Sequence, residues 1–153
     1  MSVTQYAATE RMPTQVVMLE GIALEGELHL QPSTAFHETR ETPLEMLNRP
    51  ELFFPLSVPG QGVVFLAKAQ VISVAVQGPV SRDPDRESAA LHIGLEITMQ
   101  GGVEYLGDAA TELPPNRSRA SDFLNSPEPF FSLIVGDATV CLNRAHVRTA
   151  RPI

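Results

Sequence analysis

Few residues in this chain have the types and spacing that chemistry needs. Cys141, the only cysteine, sits in the apolar run Thr139-Val140-Cys141-Leu142. Alone it forms neither an intrachain disulfide nor a cysteine-based zinc site, and the run predicts a buried small hydrophobe. The four histidines, His29, His37, His92 and His146, include no His-x-x-x-His pair, so no local metal site is expected. His37-Glu38 reads as the polar approach to a helix, and His29 and His92 fall on the polar positions of alternating strands, where solvated side chains belong. Neither Ser121 nor Ser132 lies in a Gly-x-Ser-x-Gly turn, the setting that exposes and activates a serine nucleophile in one large class of hydrolases. Glu25 and Glu27 share one face of a strand, a common surface arrangement. Gly60-Gln61-Gly62 lacks the third glycine and the following helix of a dinucleotide loop, and no lysine follows a glycine loop in the P-loop manner. The expectation is a protein without catalysis, metal or cofactor.

The elements that must position these residues follow from composition. The chain has 153 residues, 43% hydrophobic and 19% charged, an ordinary globular balance. Thirteen prolines and ten glycines without tryptophan predict many turns and short elements. A formal charge of −7 weighs against general nucleic-acid binding, which needs a basic excess over phosphates. Arg144, Arg148 and Arg151 cluster near the end and read as solubilising residues. Residues 1–14 carry no basic start followed by an apolar stretch, and no segment approaches the ~18 apolar residues of a membrane span. They read as a tail on a cytoplasmic protein.

The strongest signal is internal repetition. Residues 46–56, Met-Leu-Asn-Arg-Pro-Glu-Leu-Phe-Phe-Pro-Leu, match residues 123–133, Phe-Leu-Asn-Ser-Pro-Glu-Pro-Phe-Phe-Ser-Leu, at seven of eleven positions. After one deletion Leu66-Ala67-Lys68-Ala69-Gln70-Val71 aligns with Leu142-Asn143-Arg144-Ala145-His146-Val147. Upstream, Gly26-Glu27-Leu28-His29-Leu30 is set against Gly102-Val103-Glu104-Tyr105-Leu106. Two copies, 15–77 and 89–153, are predicted, joined by a polar linker over 78–88.

Within a unit, Ile22, Leu24, Leu28 and Leu30 alternate with polar or small residues, as do Leu91, Ile93, Leu95, Ile97 and Met99, which predicts half-buried strands. Gly26, and Gly101-Gly102 in the second copy, predict a bend. Thr42-Pro43-Leu44-Glu45 has the spacing of a capping box with proline at the first helical position. The short helix it starts ends at Asn48 before Pro50, and the second copy at Asn125 before Pro127. Asn48 and Asn125 read as helix ends that tolerate left-handed backbone angles. Phe53 to Leu56 and Val63 to Leu66 flank the Pro59-Gly60-Gln61-Gly62 turn as a hairpin. Lys68-Ala69-Gln70, matched by Arg144-Ala145-His146, re-aims the chain into a last strand from Val71.

The predicted fold is therefore mainly β with short helices. It is a tandem strand-strand-helix-strand-strand unit, with two small curved half-barrels packed face to face about a pseudo-twofold axis so that each completes the other's core. Asp122-Phe123-Leu124-Asn125, Phe130-Phe131-Ser132-Leu133 and Leu142-Asn143-Arg144-Ala145-His146-Val147 resemble an uncharacterised family of small bacterial β-rich proteins. The resemblance implies a β-rich fold and no activity. Ala67 and Gln70 depart from the family's asparagine and histidine in the first copy. Residues 65–74 also resemble the closing strand-turn-strand of Sm-like barrels, which would imply RNA binding that the charge disfavours.

Because both copies share Leu, Asn, Pro, Phe and Val rather than reactive groups, the chain is expected to be an interaction or adaptor module. Its partner is another protein, with a homo-oligomer as one form. The candidate binding residues are Phe54, Phe131, Lys68, Arg144 and His146. The alternative is a small-ligand or nucleotide-sensing domain in which Arg117, Arg119, Arg144 and His146 gather an anion.

Overall fold

The computed structural model describes residues 9–32, 40–78, 91–111 and 120–153. Ten antiparallel strands form one sheet: β1 (Glu10–Met18), β2 (Ala23–Leu30), β3 (Phe53–Val58), β4 (Gly62–Ala67), β5 (Val71–Gln77), β6 (Leu91–Met99), β7 (Glu104–Thr111), β8 (Phe130–Val135), β9 (Ala138–Asn143) and β10 (Val147–Pro152). Two short helices, α1 (Pro43–Leu47) and α2 (Ala120–Leu124), follow β2 and β7. The capping box at α1 forms as expected: the Glu45 amide donates to Thr42 Oγ1 at 3.1 Å and the Thr42 amide to Glu45 Oε1 at 2.9 Å. Lys68–Gln70 and Arg144–His146 are single 3-10 turns. They turn β4 into β5 and β9 into β10.

The strand order is β10-β6-β7-β8-β9-β5-β1-β2-β3-β4. Each half of the chain thus contributes five strands in the same lateral sequence, and the halves meet edge to edge where β5 pairs with β9, Ser73 opposite Leu142 through Gln77 opposite Ala138. Three expectations are corrected. The sheet is open, with β4 and β10 at its edges, not closed into a barrel. The halves do not pack face to face. A twofold axis would set like strands against each other, whereas the strand after one 3-10 turn, β5, meets the strand before the other, β9.

Boundaries shift as well. Glu10–Thr14, expected in a tail, belong to β1. Pro13 is tolerated there because β1 pairs with β5 only from Gln15 onward, so the missing amide faces no partner. The β1–β2 and β6–β7 hairpins close alike: the Met18 amide reaches the Ile22 carbonyl at 2.8 Å, and the Met99 amide reaches that of Val103 at 2.8 Å. Gly101-Gly102 is therefore the hairpin turn, with φ of +89° and +91°, and not the bend. The residue matching Gly26 is Gly107. A Cβ on either would run into a carbonyl oxygen, of Ser57 and Ile134 respectively, so β2 and β7 cross their neighbours closely only because these positions are glycine. The predicted linker lies largely outside the described residues; within it, the Gly78 amide donates to the Asp137 carbonyl at 2.7 Å.

Two hydrophobic cores form, one on each face of the shared sheet. Val74, Val76 and Cys141 enter the first, with Leu28, Leu47, Phe54 and Leu56. Ala75, Val140 and Leu142, which alternate with them along β5 and β9, face the second, with Leu95, Ile97, Phe131 and Leu133. Each core draws on both halves: Phe130 and Cys141 enter the first, Ile72 the second. Cys141 is buried as expected, and burial pushes its thiol up to about 12.

Candidate functional site

Of the residues expected to bind a partner, Phe54 and Phe131 lie inside the fold, while Lys68, Arg144 and His146 are partly exposed and bonded to main chain. Phe54 and Phe131 are 2% and 3% exposed, so both are core and offer no surface to a partner. Lys68 Nζ donates to the carbonyls of Met46 (3.3 Å) and Arg49 (2.9 Å), neutralising the carbonyl end of α1. Arg144 does the same for α2, donating to Phe123, Leu124 and Glu128 carbonyls, each at 2.9 Å. Its guanidinium lies 4.8 Å from the Phe131 ring centroid and 5.7 Å from that of Phe123. His146 Nε2 donates to the Ala69 carbonyl at 2.6 Å across the β5–β9 seam. These side chains hold main chain.

The asparagines correct the sequence reading in a different way. Asn48 has φ −88°, not a left-handed angle, and its amide grips a strand of the other half. Nδ2 donates to the Phe130 carbonyl at 3.2 Å and Oδ1 accepts from the Phe130 amide at 2.8 Å. Asn143, buried at the end of β9, donates to the carbonyls of Lys68 (3.1 Å) and Val71 (3.0 Å). Asn125, the match of Asn48, turns back on its own helix, donating to the Ser121 carbonyl at 2.9 Å, and is exposed.

What remains open is the β3–β4 edge. Leu52 is 77% exposed, Phe53 and Phe65 54% each and Val63 44%. Of the eight large exposed hydrophobics among the described residues, four lie here. Phe53, Val63 and Phe65 share one face, because Phe53 pairs with Ala67, Pro55 with Phe65 and Ser57 with Val63. A cleft of about 480 Å³ runs beside them, lined in part by Phe53, Phe65, Arg49, Glu51, Lys68 and His29. Burial lowers the Lys68 pKa from the usual ammonium range.

His29, expected to be solvated, is 3% exposed. Its Nε2 lies 2.8 Å from Ser57 Oγ and its Nδ1 3.3 Å from Thr9 Oγ1. Arg11 Nη1 donates to Ser57 Oγ at 3.1 Å, so this hydroxyl sits between the guanidinium and the imidazole. Desolvation, then the Arg11 charge, lowers the His29 pKa from 6.5. With the folded pKa below the unfolded one, the unfolded chain binds the extra proton first, so stability falls as pH drops below about 6.5 and stops falling below the folded value. Melting temperatures measured across this range are expected to show a slope that His29→Asn reduces. An unchanged slope would mean His29 titrates alike in both states. Period-two patterning hid this residue, since it assigns every second strand position to solvent.

His37, Arg117 and Arg119 lie outside the described residues. Among the described residues no three His, Cys, Asp or Glu side chains converge to hold a metal ion, and no helix is long and apolar enough to cross a membrane. Comparison with family models, with curated proteins and with solved structures returns no match.

Proposed function

We propose that the chain is a non-catalytic protein-interaction module, built as a tandem duplicate, that docks its partner on the β3–β4 edge. One observation carries the proposal: Phe53, Val63 and Phe65 expose apolar surface side by side on a hairpin whose outer edge, on β4, has no pairing partner among the described residues. An unpaired strand edge offers a row of amides and carbonyls, and adjacent apolar side chains supply the burial that makes edge pairing specific. The duplication is supported by the shared strand order, the two 3-10 turns and the matched hairpins described above. Against the anion-sensing alternative, Arg144 and His146 are already engaged by carbonyls. Against serine chemistry, the Ser57 oxygen already accepts from Arg11, which lowers its nucleophilicity.

The test is position-specific photo-crosslinking of the full chain in its own cells. A photoreactive residue at Phe65 is expected to give discrete adducts that Phe53→Ser abolishes, while the same residue at exposed Glu104 gives none. Equal labelling from both positions, or none from Phe65, would sink the proposal.

A further inference from the structure

The surface that the β3–β4 edge needs is present in the same chain, because the β5–β9 seam is a worked example of how two such edges join. Place for place, Phe53 matches Phe130, Val63 matches Thr139 and Phe65 matches Cys141. The first three are 54%, 44% and 54% exposed, and the second three are 2%, 6% and 1% exposed. Phe130 and Cys141 owe their burial to the first core, which β5 and α1 of the other half bring to them.

The opposite edge shows the complementary deficit. In α1, Pro43, Met46 and Leu47 are buried, whereas α2 buries none of its residues. The strand β10, which matches β5, has no outer neighbour among the described residues. Asn125, which matches the Asn48 that grips Phe130, is exposed and bonds only its own helix among the contacts described.

We infer that the partner on the β3–β4 edge is a second copy of this chain, which presents β10 and α2 to it head to tail and repeats the β5–β9 seam between molecules. This rests on the docking reading above. In the repeated seam Ala150 stands opposite Phe65 where Val74 stands opposite Cys141. The small residue thus meets the large one and the summed volume is kept within bounds. Asn125 reaches the main chain of Phe53, and Phe53 covers Phe123 and Leu124 as Phe130 covers Met46 and Leu47. Because unlike edges meet, the contact is heterologous: every copy keeps one edge of each kind, and assembly proceeds to a ring or a filament and does not stop at a dimer.

The intermolecular seam is weaker than the internal one. Pro152 stands where Val76 stands in β5 and withholds a donor. Ala67 and Gln70 replace Asn143 and His146, whose bonds tie β9 to Lys68, Val71 and Ala69. Assembly is therefore reversible and concentration-dependent.

The experiment is sedimentation of the purified full chain with one block on each edge. Phe65→Asp places a charge on the β4 side. Ala150→Pro removes an outward donor on β10, since the Ile153 amide bonds Gly94 and alternate amides along β10 point away from β6. The wild-type chain is expected to exceed one chain in mass, increasingly with concentration. Each variant alone is expected to run as one chain, and an equal mixture is expected to give a two-chain species and nothing larger.

Asn125→Leu gives an independent block on the α2 side, and melting curves equal to wild type show that the variants are folded. A dimer formed by Ala150→Pro alone would mean that β4 pairs with β4, overturning the head-to-tail inference. A wild-type chain that stays single at every concentration, while Phe65 crosslinks to a different protein, would overturn self-assembly and leave the docking reading intact. A single chain with no crosslink would overturn both.

Discussion

Phe130→Ala is expected to cost about 3–5 kcal/mol of stability, while Phe53→Ala, at the matching place in the other half, is expected to stay within about 0.5 kcal/mol in the single chain. The two residues have the same type and the same local sequence, so intrinsic propensity does not separate them. Their surroundings do. Phe130 is 2% exposed and sits in the core built around Leu47 and Phe54, and Asn48 clamps its backbone from both sides. Phe53 is 54% exposed at a free edge. In a chain of this size each 1 kcal/mol moves the melting temperature by about 2–4 °C, so thermal melts of the two variants separate clearly. Similar losses in both would contradict the seam. Under conditions where copies associate, Phe53→Ala is expected to shift the assembly equilibrium instead.

Leu47→Ala is expected to cost about 2–5 kcal/mol and to do so in a single transition for the whole chain. Leu47 is fully buried under a β-sheet to which the second half contributes Phe130 and Cys141, so its loss loosens residues from both halves. The matching Leu124→Ala is expected to cost less, because Leu124 is only partly buried. The halves are also joined by polar groups: Tyr105 Oη lies 2.9 Å from Ser73 Oγ, and Thr139 Oγ1 donates to the Gly78 carbonyl at 2.8 Å. Calorimetry checks the prediction. Two separate transitions in either variant would mean the halves fold independently and the seam is incidental.

Much of the fold was legible because its signals are local. The capping box at Thr42, the stop at Pro50, the Pro59–Gly62 turn and the two 3-10 turns depend on residues within one or two turns of chain, and each appears where its chemistry placed it. The match between 46–56 and 123–133 falls on the helix-to-strand passages that lead into β3 and β8. Signals failed where polar residues concealed an element. Glu10–Thr14 alternates correctly, with Met12, Thr14 and Val16 on one face, but a proline and charged neighbours give it the composition of a tail. The glycine correspondence slipped by five residues, because Gly26 and Gly102 are alike in sequence while only Gly107 shares the close strand crossing.

By itself the sequence determined the β-rich class, many of the elements and the absence of familiar catalytic spacing, since all of these rest on short-range patterns and on residue types. Which side chains are core and which are surface was decided only by the tertiary structure. Phe53-Phe54 and Phe130-Phe131 read identically along the chain, yet three of the four rings are buried and one is not. The difference is a neighbour: β5 and α1 cover Phe130, and among the described residues no strand lies outside β4. Asn48 likewise became a clamp on a strand 82 residues away, because hydrogen-bond partners at that separation are chosen by strand order. Strand order, in turn, rests on pairings between distant segments such as β5 with β9, which no local pattern encodes.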